Sequence, residues 1–271
     1  MEVSRKEYSL QKFSRLSKAE KDAFELEGFI KIKGLLPKEY ADKIIDEAWD
    51  ELDETFRIKR EEKATWRTPS HALRKTKYSA TNTKLITEGF RNIISELLGH
   101  SNWLEPSSWG GFLVDFPDYS KVDYRLHEKM WHWDYELSHP TPDGLLIFSF
   151  FSKVGPKGGG TLLISGSHRL LENYRAGLSE SALLQRHSVQ RKQLLKYHPY
   201  FQEIQSHKYD ERSRTDIFMN QPWMFEDISL QVVELCGDLG DVVFCHPRII
   251  HAPSGINNSD HPRIMRSKFL W

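Results

Sequence analysis

Apolar residues fall along the chain in two textures, and the change between them comes near residue 109. Before it, the spacing is mostly helical. Ser17-Lys-Ala-Glu20 has the spacing of a capping box, and the run to Glu27 is good helix material that Gly28 is suited to end. Phe29-Ile-Lys-Ile-Lys33 alternates apolar and charged side chains with a period of two, which predicts a half-exposed strand closed by Gly34. Pro37 opens a second helix through Tyr40, Ile44, Ile45 and Trp49, and Phe90, Ile93, Ile94, Leu97 and Leu98 predict another that stops at Gly99.

Beyond residue 109 the apolar runs are short and bounded by Gly, Pro and Asp: Gly111 to Phe116, Leu145 to Phe151, Gly160 to Ile164, Leu230 to Leu235, Asp241 to Cys245 and Ile264 to Trp271. Such runs predict a sheet sandwich or jelly roll, so the expected class is mainly β with flanking helices. The exception is the charged, helix-like stretch 171–229, with Leu183, Leu184, His187, Gln190, Arg191, Leu194 and Leu195 at helical spacings. It has too few apolar residues for a core of its own, which favours a lid or an insertion between core strands over a second domain. One domain over 1–271 is therefore expected, without internal repeats.

Charge and cysteine content narrow the partners. Lys plus Arg and Asp plus Glu both total 38, so the chain carries no net charge and no block of one sign that nucleic acid or an anionic membrane would select. The N-terminal residues lack the apolar core of a signal peptide, and no apolar run is long enough to span a bilayer, so a cytoplasmic protein is expected, as monomer or homodimer, acting on small molecules. The two cysteines, Cys236 and Cys245, read as reduced strand residues.

The chemistry concentrates in two places. Trp131-His132-Trp133-Asp134-Tyr135 contains His-x-Asp, and on a strand residues i and i+2 share a face, so an imidazole and a carboxylate can hold one ion together. That is two-thirds of the 2-His-1-carboxylate triad that leaves open positions on Fe(II). By itself the pair is weak, since with 12 histidines roughly one such pair is expected by chance. Its weight comes from downstream. Gly240-Asp241 launches a strand toward His246-Pro-Arg-Ile-Ile-His251, then Asn257, Asn258 and Arg263 follow. A guanidinium can hold the far carboxylate of a diacid whose other end chelates the metal. Arg263, Met265, Ser267, Phe269 and Trp271 share one strand face, and it is the more apolar one, so Arg263 is favoured as that anchor over Arg266.

Taken together, the ordered set resembles the phytanoyl-CoA dioxygenase-like family of oxygenases. Phe24 to Leu36 is similar to its N-terminal segment, His132-Trp-Asp134 to its metal pair, and Gly158-Gly-Gly-Thr-Leu-Leu-Ile-Ser-Gly-Ser-His-Arg169 to its Gly-Ser-His strand and turn. The segment from Gly240 through His251, Asn257 and Arg263 resembles its closing part. The resemblance implies a double-stranded β-helix, a cupin-like jelly roll, with Fe(II) on His132, Asp134 and His251. It implies 2-oxoglutarate as co-substrate held by Arg263, and O₂ as oxidant, with succinate and CO₂ formed as a small metabolite is hydroxylated or otherwise oxidised. Two departures stand out: Pro253 occupies the position two after the distal His, with Ser254 one later, and the spacing to the arginine is stretched by His261-Pro262.

Other residues invite blander readings. His246 differs from His251 in strand parity, so only one can face the metal, and the family spacing to Arg263 selects His251. His168 reads as a structural hydrogen-bonding residue, Trp131, Trp133 and Tyr135 as packing behind the site, and Trp109, Phe116 and Trp223 as core. The charged run Lys208 to Arg214 reads as a solvated loop. Two rival functions remain: a non-catalytic metal-binding or sensor protein on the same barrel, against which stands the completeness of the ligand set, and a halogenase, against which stands Asp134.

Overall fold

The computed structural model describes residues 16–67, 69, 73–119, 124, 126, 130–253 and 256–271. Ser254 and the N-terminal fifteen residues lie outside these.

The helical half forms as its capping signals dictate. In α1 (Lys18–Glu27) the Ser17 side chain accepts from the Glu20 amide while the Glu20 carboxylate accepts from the Ser17 amide, and Gly28 ends the helix at φ 83°. After β1 (Phe29–Ile32), Pro37 stands as the N-cap of α2 (Lys38–Phe56), followed by short helices α3 (Arg74–Lys77) and α4 (Thr81–Leu85). Next, α5 (Glu88–Leu98) is capped by Thr87 and closed by Gly99.

Two antiparallel sheets follow from the short runs. The larger takes the order β1, β7 (Val242–Cys245), β3 (Leu145–Phe150), β9 (Arg263–Leu270), β2 (Gly111–Asp115). The smaller takes β5 (Trp223–Phe225), β6 (Ile228–Glu234), β4 (Leu162–Ser165), β8 (Ile250–Ala252). The chain crosses from the larger sheet to the smaller between β3 and β4, and from β6 to β9 successive strands alternate between the two sheets, which is the crossing pattern of a jelly roll. Asp241, at the turn before β7, accepts from the amides of Gly34 (2.9 Å) and Asp238 (3.0 Å), tying that turn to the end of β1.

Side-chain parity divides the apolar residues into three layers. From β3, Leu145 and Ile147 pack outward with Ile264 and Leu270 of β9 against the helices, including Ile44, Trp49, Phe90 and Ile94. The alternate residues Leu146, Phe148 and Phe150 point inward, with Met265, Val243, Leu163 and Leu235, and form the barrel interior. β3 is buried on both faces because it has a layer on either side. Trp109 and Phe116 belong to the helix-side layer, as core residues should.

The third layer covers the outside of the small sheet. Leu162, Ile164, Val232 and Ile250 meet Leu170 and Leu171 of α6 (Ser167–Ala176), Leu194 of α8 (His187–Tyr197), Tyr200, Phe201 and Ile204 of α9 (Pro199–Ile204) and Phe218 of α10 (Glu211–Met219). A single-turn helix, α7 (Glu180–Leu183), links α6 to α8. The helices between β4 and β5 thus share one core with the strands beneath them. The expectation of a solvated loop over Lys208 to Arg214 matches Lys208 to Asp210 and is corrected beyond it, where a helix begins at Glu211 and Arg214 is buried. Asp210 caps α10, and Arg214, 1 % exposed, donates to the carbonyls of Ile204, Ser206 and Tyr209, filling the turn that joins α9 to α10.

Candidate metal centre

His251 is the middle residue of β8, and its neighbour on one side is Leu163 of β4. On the other side the edge of β8 is capped by a single residue, His132. The two histidines exchange backbone hydrogen bonds, His132 N–H to His251 O at 2.9 Å and His251 N–H to His132 O at 2.8 Å. The expected strand at His132–Asp134 is therefore reduced to one isolated bridge. Asp134 reaches the same point because the segment bends, with Met130 held at φ 79°, a left-handed conformation rare for a side chain of that bulk.

This bend also sets the imidazoles. The His132 Nδ1–H donates to Met130 O at 2.8 Å and the His251 Nδ1–H to Ile249 O at 3.2 Å. Each ring is thereby left with its Nε2 lone pair free to bind. His251 Nε2 lies 3.5 Å from Asp134 Oδ2, and His132 Nε2 lies 4.0 Å from Asp134 Oδ1. The rings are 4.2 Å apart, and one ligand atom from each of the three residues falls within 4.8 Å of the others. Bonds of roughly 2.1 Å at right angles place neighbouring donors about 3 Å apart, so the donor set fits a divalent ion with a slight contraction. Two nitrogens and one oxygen on one side leave further positions open to other ligands.

His251 is buried, and burial first, then the nearby His132, pulls its pKa down to about 4, against the raising effect of Asp134. A neutral imidazole is the form a metal needs. His132 and Asp134 are half-exposed and exposed, so the site opens to solvent on their side.

His246 is elsewhere. Its ring lies 4.8 Å from that of His168 and 6.4 Å from Phe24, beneath α1. His168 sits in the first turn of α6, and its Nε2–H donates to Glu25 O at 3.0 Å. Both are held neutral by burial, at about 3 and about 4 respectively. Trp131 and Trp133 are buried in the layer outside the small sheet, and Trp223 packs with it. Tyr135 stacks on Phe269 at 6.1 Å.

The two arginines of β9 separate by parity. Arg266 points to the helix side, fully buried, with a 2.5 Å bond to Asn82 of α4 and its guanidinium over Phe151. Arg263 is on the interior face. It donates to Gly159 O, burial lowers its pKa against a smaller raising effect of the Asp115 and Glu234 carboxylates, and its buried Nε has no partner among the described residues.

Three residues enter that the motif reading did not single out. Arg248 is fully buried between His246 and His251; it donates to the Glu172 carboxylate of α6 and to the carbonyls of Glu136 and His139, with Tyr135 under its guanidinium. It ties the loop after Asp134 to the chain entering β8. Its signal in the sequence is a charge set in the otherwise uncharged run Pro247 to Ile250. His187 and Arg191, at i and i+4 on α8, turn one face of that helix toward the site. The His187 ring lies 5.0 Å from Trp133, and burial, followed by the charge of Arg191, lowers its pKa while Glu136 and Asp134 raise it.

Solved structures of similar fold include two that are named as non-haem α-ketoglutarate-dependent enzymes. The carbocyclase SnoK from nogalamycin biosynthesis, described as non-haem and α-ketoglutarate-dependent, aligns with a TM-score of 0.55 over 95 % of this chain and 85 % of its own, at 17 % identity. The α-ketoglutarate-dependent epimerase SnoN of the same biosynthesis gives 0.51 over 94 % and 81 %, at 15 % identity. AviO1 from Streptomyces viridochromogenes Tue57 gives 0.52 over 95 % and 96 %, also at 15 % identity. At such identities the likeness is one of fold, the jelly roll that the strand order already describes. No family model and no curated protein matches the chain.

Proposed function

We propose that this protein is a non-haem Fe(II)- and 2-oxoglutarate-dependent oxygenase of the phytanoyl-CoA dioxygenase-like kind, acting on a small-molecule metabolite. The observation that carries the reading is the convergence of His132, Asp134 and His251 on one point of a jelly roll, both Nε2 atoms turned to one carboxylate. SnoK and SnoN, with the same fold, are named as α-ketoglutarate-dependent enzymes, which supports the same cofactor pair here.

In this reading His132, Asp134 and His251 hold the iron, which when loaded with 2-oxoglutarate supplies O₂ activation coupled to release of CO₂ and succinate. The protein's own residues do the rest. Met130 O and Ile249 O fix the tautomers of the two histidines, and Arg248 fixes the loop behind Asp134. Phe148, whose ring lies 6.4 Å from His251, keeps the inner wall dry.

Arg263 is the proposed anchor for the distal carboxylate of 2-oxoglutarate. Phe148 is paired with Ser267, so the metal site lies about four residues, roughly 13 Å, along β9 from Arg263. An arginine side chain and a five-carbon diacid laid end to end can span that gap. The unpartnered Nε gives it a donor to spend there. The chain is read as one domain, with 171–229 as an insertion whose α8 borders the metal side. Hydroxylation is the default outcome, though a carbocyclase and an epimerase on this fold make ring closure and epimerisation natural variants.

The test is anaerobic reconstitution with Fe(II) and 2-oxoglutarate, followed by admission of O₂. A weak visible charge-transfer band that requires His132 and weakens in Arg263→Gln, with succinate formed on oxygenation, is the expected result. Iron binding without any band or 2-oxoglutarate affinity would leave a metal-binding protein on the same barrel as the correct reading.

A further inference from the structure

Beside His132 the chain leaves a cleft of about 460 Å³, walled on one side by Met130, Trp131 and His132 and on the other by Arg191, Leu195 and Gln205. The far wall is helix α8 and the turn after α9. Gln205 closes that corner, its side-chain amide donating to Leu195 O at 2.9 Å and Phe201 O at 2.8 Å. His187, Arg191 and Leu195 recur at four-residue intervals and so form one stripe along α8, while Gln190 and Leu194 point into the core beneath. A helix that merely covered the sheet would offer the solvent any polar residue at this height. This one offers a guanidinium to a cavity whose opposite wall is a metal ligand.

Arg191 is half-buried and makes no hydrogen bond or ion pair with a described residue, whereas the buried Arg214 donates to three carbonyls and the buried Arg248 to two carbonyls and the Glu172 carboxylate. A half-buried guanidinium has lost part of its hydration without receiving a counter-charge, and a ligand anion would restore one. The wall opposite is compatible with that charge. With two neutral imidazoles, one carboxylate and a 2-oxoglutarate dianion whose far end is paired with Arg263, a divalent ion leaves the metal site near neutral, so it does not repel an anion held at Arg191.

We propose that this cleft receives the organic substrate and that Arg191 binds an anionic group on it, a carboxylate or a phosphate, so that the substrate is an acid whose reacting carbon lies between Arg191 and the metal. The proposal rests on the reading of His132 as a metal ligand. Leu195, Met130 and the Trp131 face supply the apolar contact for the carbon skeleton, and the pairing fixes which end enters. The 171–229 insertion then sets substrate choice through a residue that belongs to neither the triad nor the 2-oxoglutarate anchor.

The test uses probe molecules, because it compares charge and not identity. Binding of 4-phenylbutyrate, phenyl phosphate and the neutral 4-phenylbutyramide to the full chain is followed by ligand-detected nuclear magnetic resonance, for the native protein, Arg191→Gln, Arg191→Lys and Lys192→Gln. A charge-assisted fork predicts that one or both acids bind at least about tenfold tighter than the amide. Arg191→Gln should abolish that difference, Arg191→Lys should keep part of it, and Lys192→Gln, an exposed neighbour, should keep all of it. Which acid is preferred separates carboxylate from phosphate recognition. Equal binding of acid and amide by the native protein, no binding of either acid, or discrimination that survives in Arg191→Gln would overturn the proposal. The Fe(II)–2-oxoglutarate band is recorded on the same samples. Its loss in Arg191→Gln alone would reassign the arginine to the co-substrate and also overturn the proposal. Its absence from every sample would sink the oxygenase reading, while the acid-to-amide comparison would still decide whether Arg191 binds an anion.

Discussion

His132 and His251 are 119 residues apart in sequence, yet each is the other's backbone partner, through bonds of 2.9 and 2.8 Å. The proposed metal pair is thus brought together by one β-bridge at the edge of the small sheet, and the side chains inherit their spacing from the ladder. Asp134 is held less directly, by a bend at Met130 and by the grip of Arg248 on the loop that follows.

Removing a ligand should therefore remove the ion without unfolding the barrel. His132→Ala and Asp134→Ala are exposed enough to be tolerated, and each should weaken Fe(II) or Co(II) binding by at least about a hundredfold while the melting temperature of the apo protein changes little. Calorimetric titration under anaerobic conditions reads the first quantity and thermal unfolding the second. Retained affinity in Asp134→Ala would displace the carboxylate from the ligand set.

Arg248→Ala leaves the Glu172 carboxylate and the carbonyls of Glu136 and His139 without their donor. The expected cost is about 2–4 kcal/mol in urea unfolding, since a fully buried guanidinium is lost and its partners are left partly desolvated. Metal affinity should drop roughly tenfold or more as the loop after Asp134 loosens. Arg248→Lys should recover part of the stability but less of the affinity, because a single ammonium does not reproduce the fork.

The pair Arg263 and Arg266 offers a sharp contrast. Arg266→Gln should lower stability, because Asn82 and Phe151 lose a fully buried partner, and leave the affinity for 2-oxoglutarate nearly unchanged in the folded fraction. Arg263→Gln should do the reverse in emphasis, weakening 2-oxoglutarate binding by about tenfold or more. Equilibrium binding of 2-oxoglutarate beside urea titration distinguishes the two, and a reversed pattern would move the anchor to Arg266.

Acid should loosen the attachment of α1 through His168 and His246. Burial lowers their pKa values to about 4 and about 3 in the folded chain, against about 6.5 unfolded, so below pH 6.5 the unfolded chain binds more protons and stability falls as pH falls. Their contribution is fully present above pH 6.5 and is lost progressively toward pH 4 and below, at up to about 1.4 kcal/mol per pH unit for each. Urea titrations at pH 7 and pH 5 should show a loss that is smaller by roughly 2 kcal/mol or more in His168→Gln/His246→Gln. An identical pH slope in the double variant would show that carboxylates elsewhere control acid stability.

Gly28 and Gly34 both take left-handed conformations, at φ 83° and 58°, but in different surroundings. A Cβ on Gly28 would meet His168 Nδ1 at 2.4 Å and Ile249 Cδ1 at 2.8 Å, whereas one on Gly34 would meet nothing within 4 Å. Gly34→Ala should cost about 1 kcal/mol for its backbone alone, and Gly28→Ala clearly more, as measured by urea unfolding. Equal costs would mean that α1 shifts freely over the His168 ring.

What the sequence by itself determined is whatever short-range physics decides. Ser17 with Glu20, Gly28, Pro37 and Gly99 mark helix ends because caps and stops act within a turn, and the alternation in β9 separates Arg263 from Arg266 because side-chain parity is a property of one strand. The His-x-Asp pair, the distal histidine and the interior arginine were legible for the same reason, as local patterns with a known chemical use. The tertiary structure alone decided what depends on residues far apart. His132 needed no strand of its own, because β8 supplied the ladder that aligns it. Arg214, read as solvated, is buried because α9 and α10 fold over it and present three carbonyls. Arg248 and Arg191 look alike as charges in the sequence. One is enclosed by the loop behind Asp134 and the other faces a cleft beside His132, and only the packing of helices 171–229 on the small sheet makes that difference.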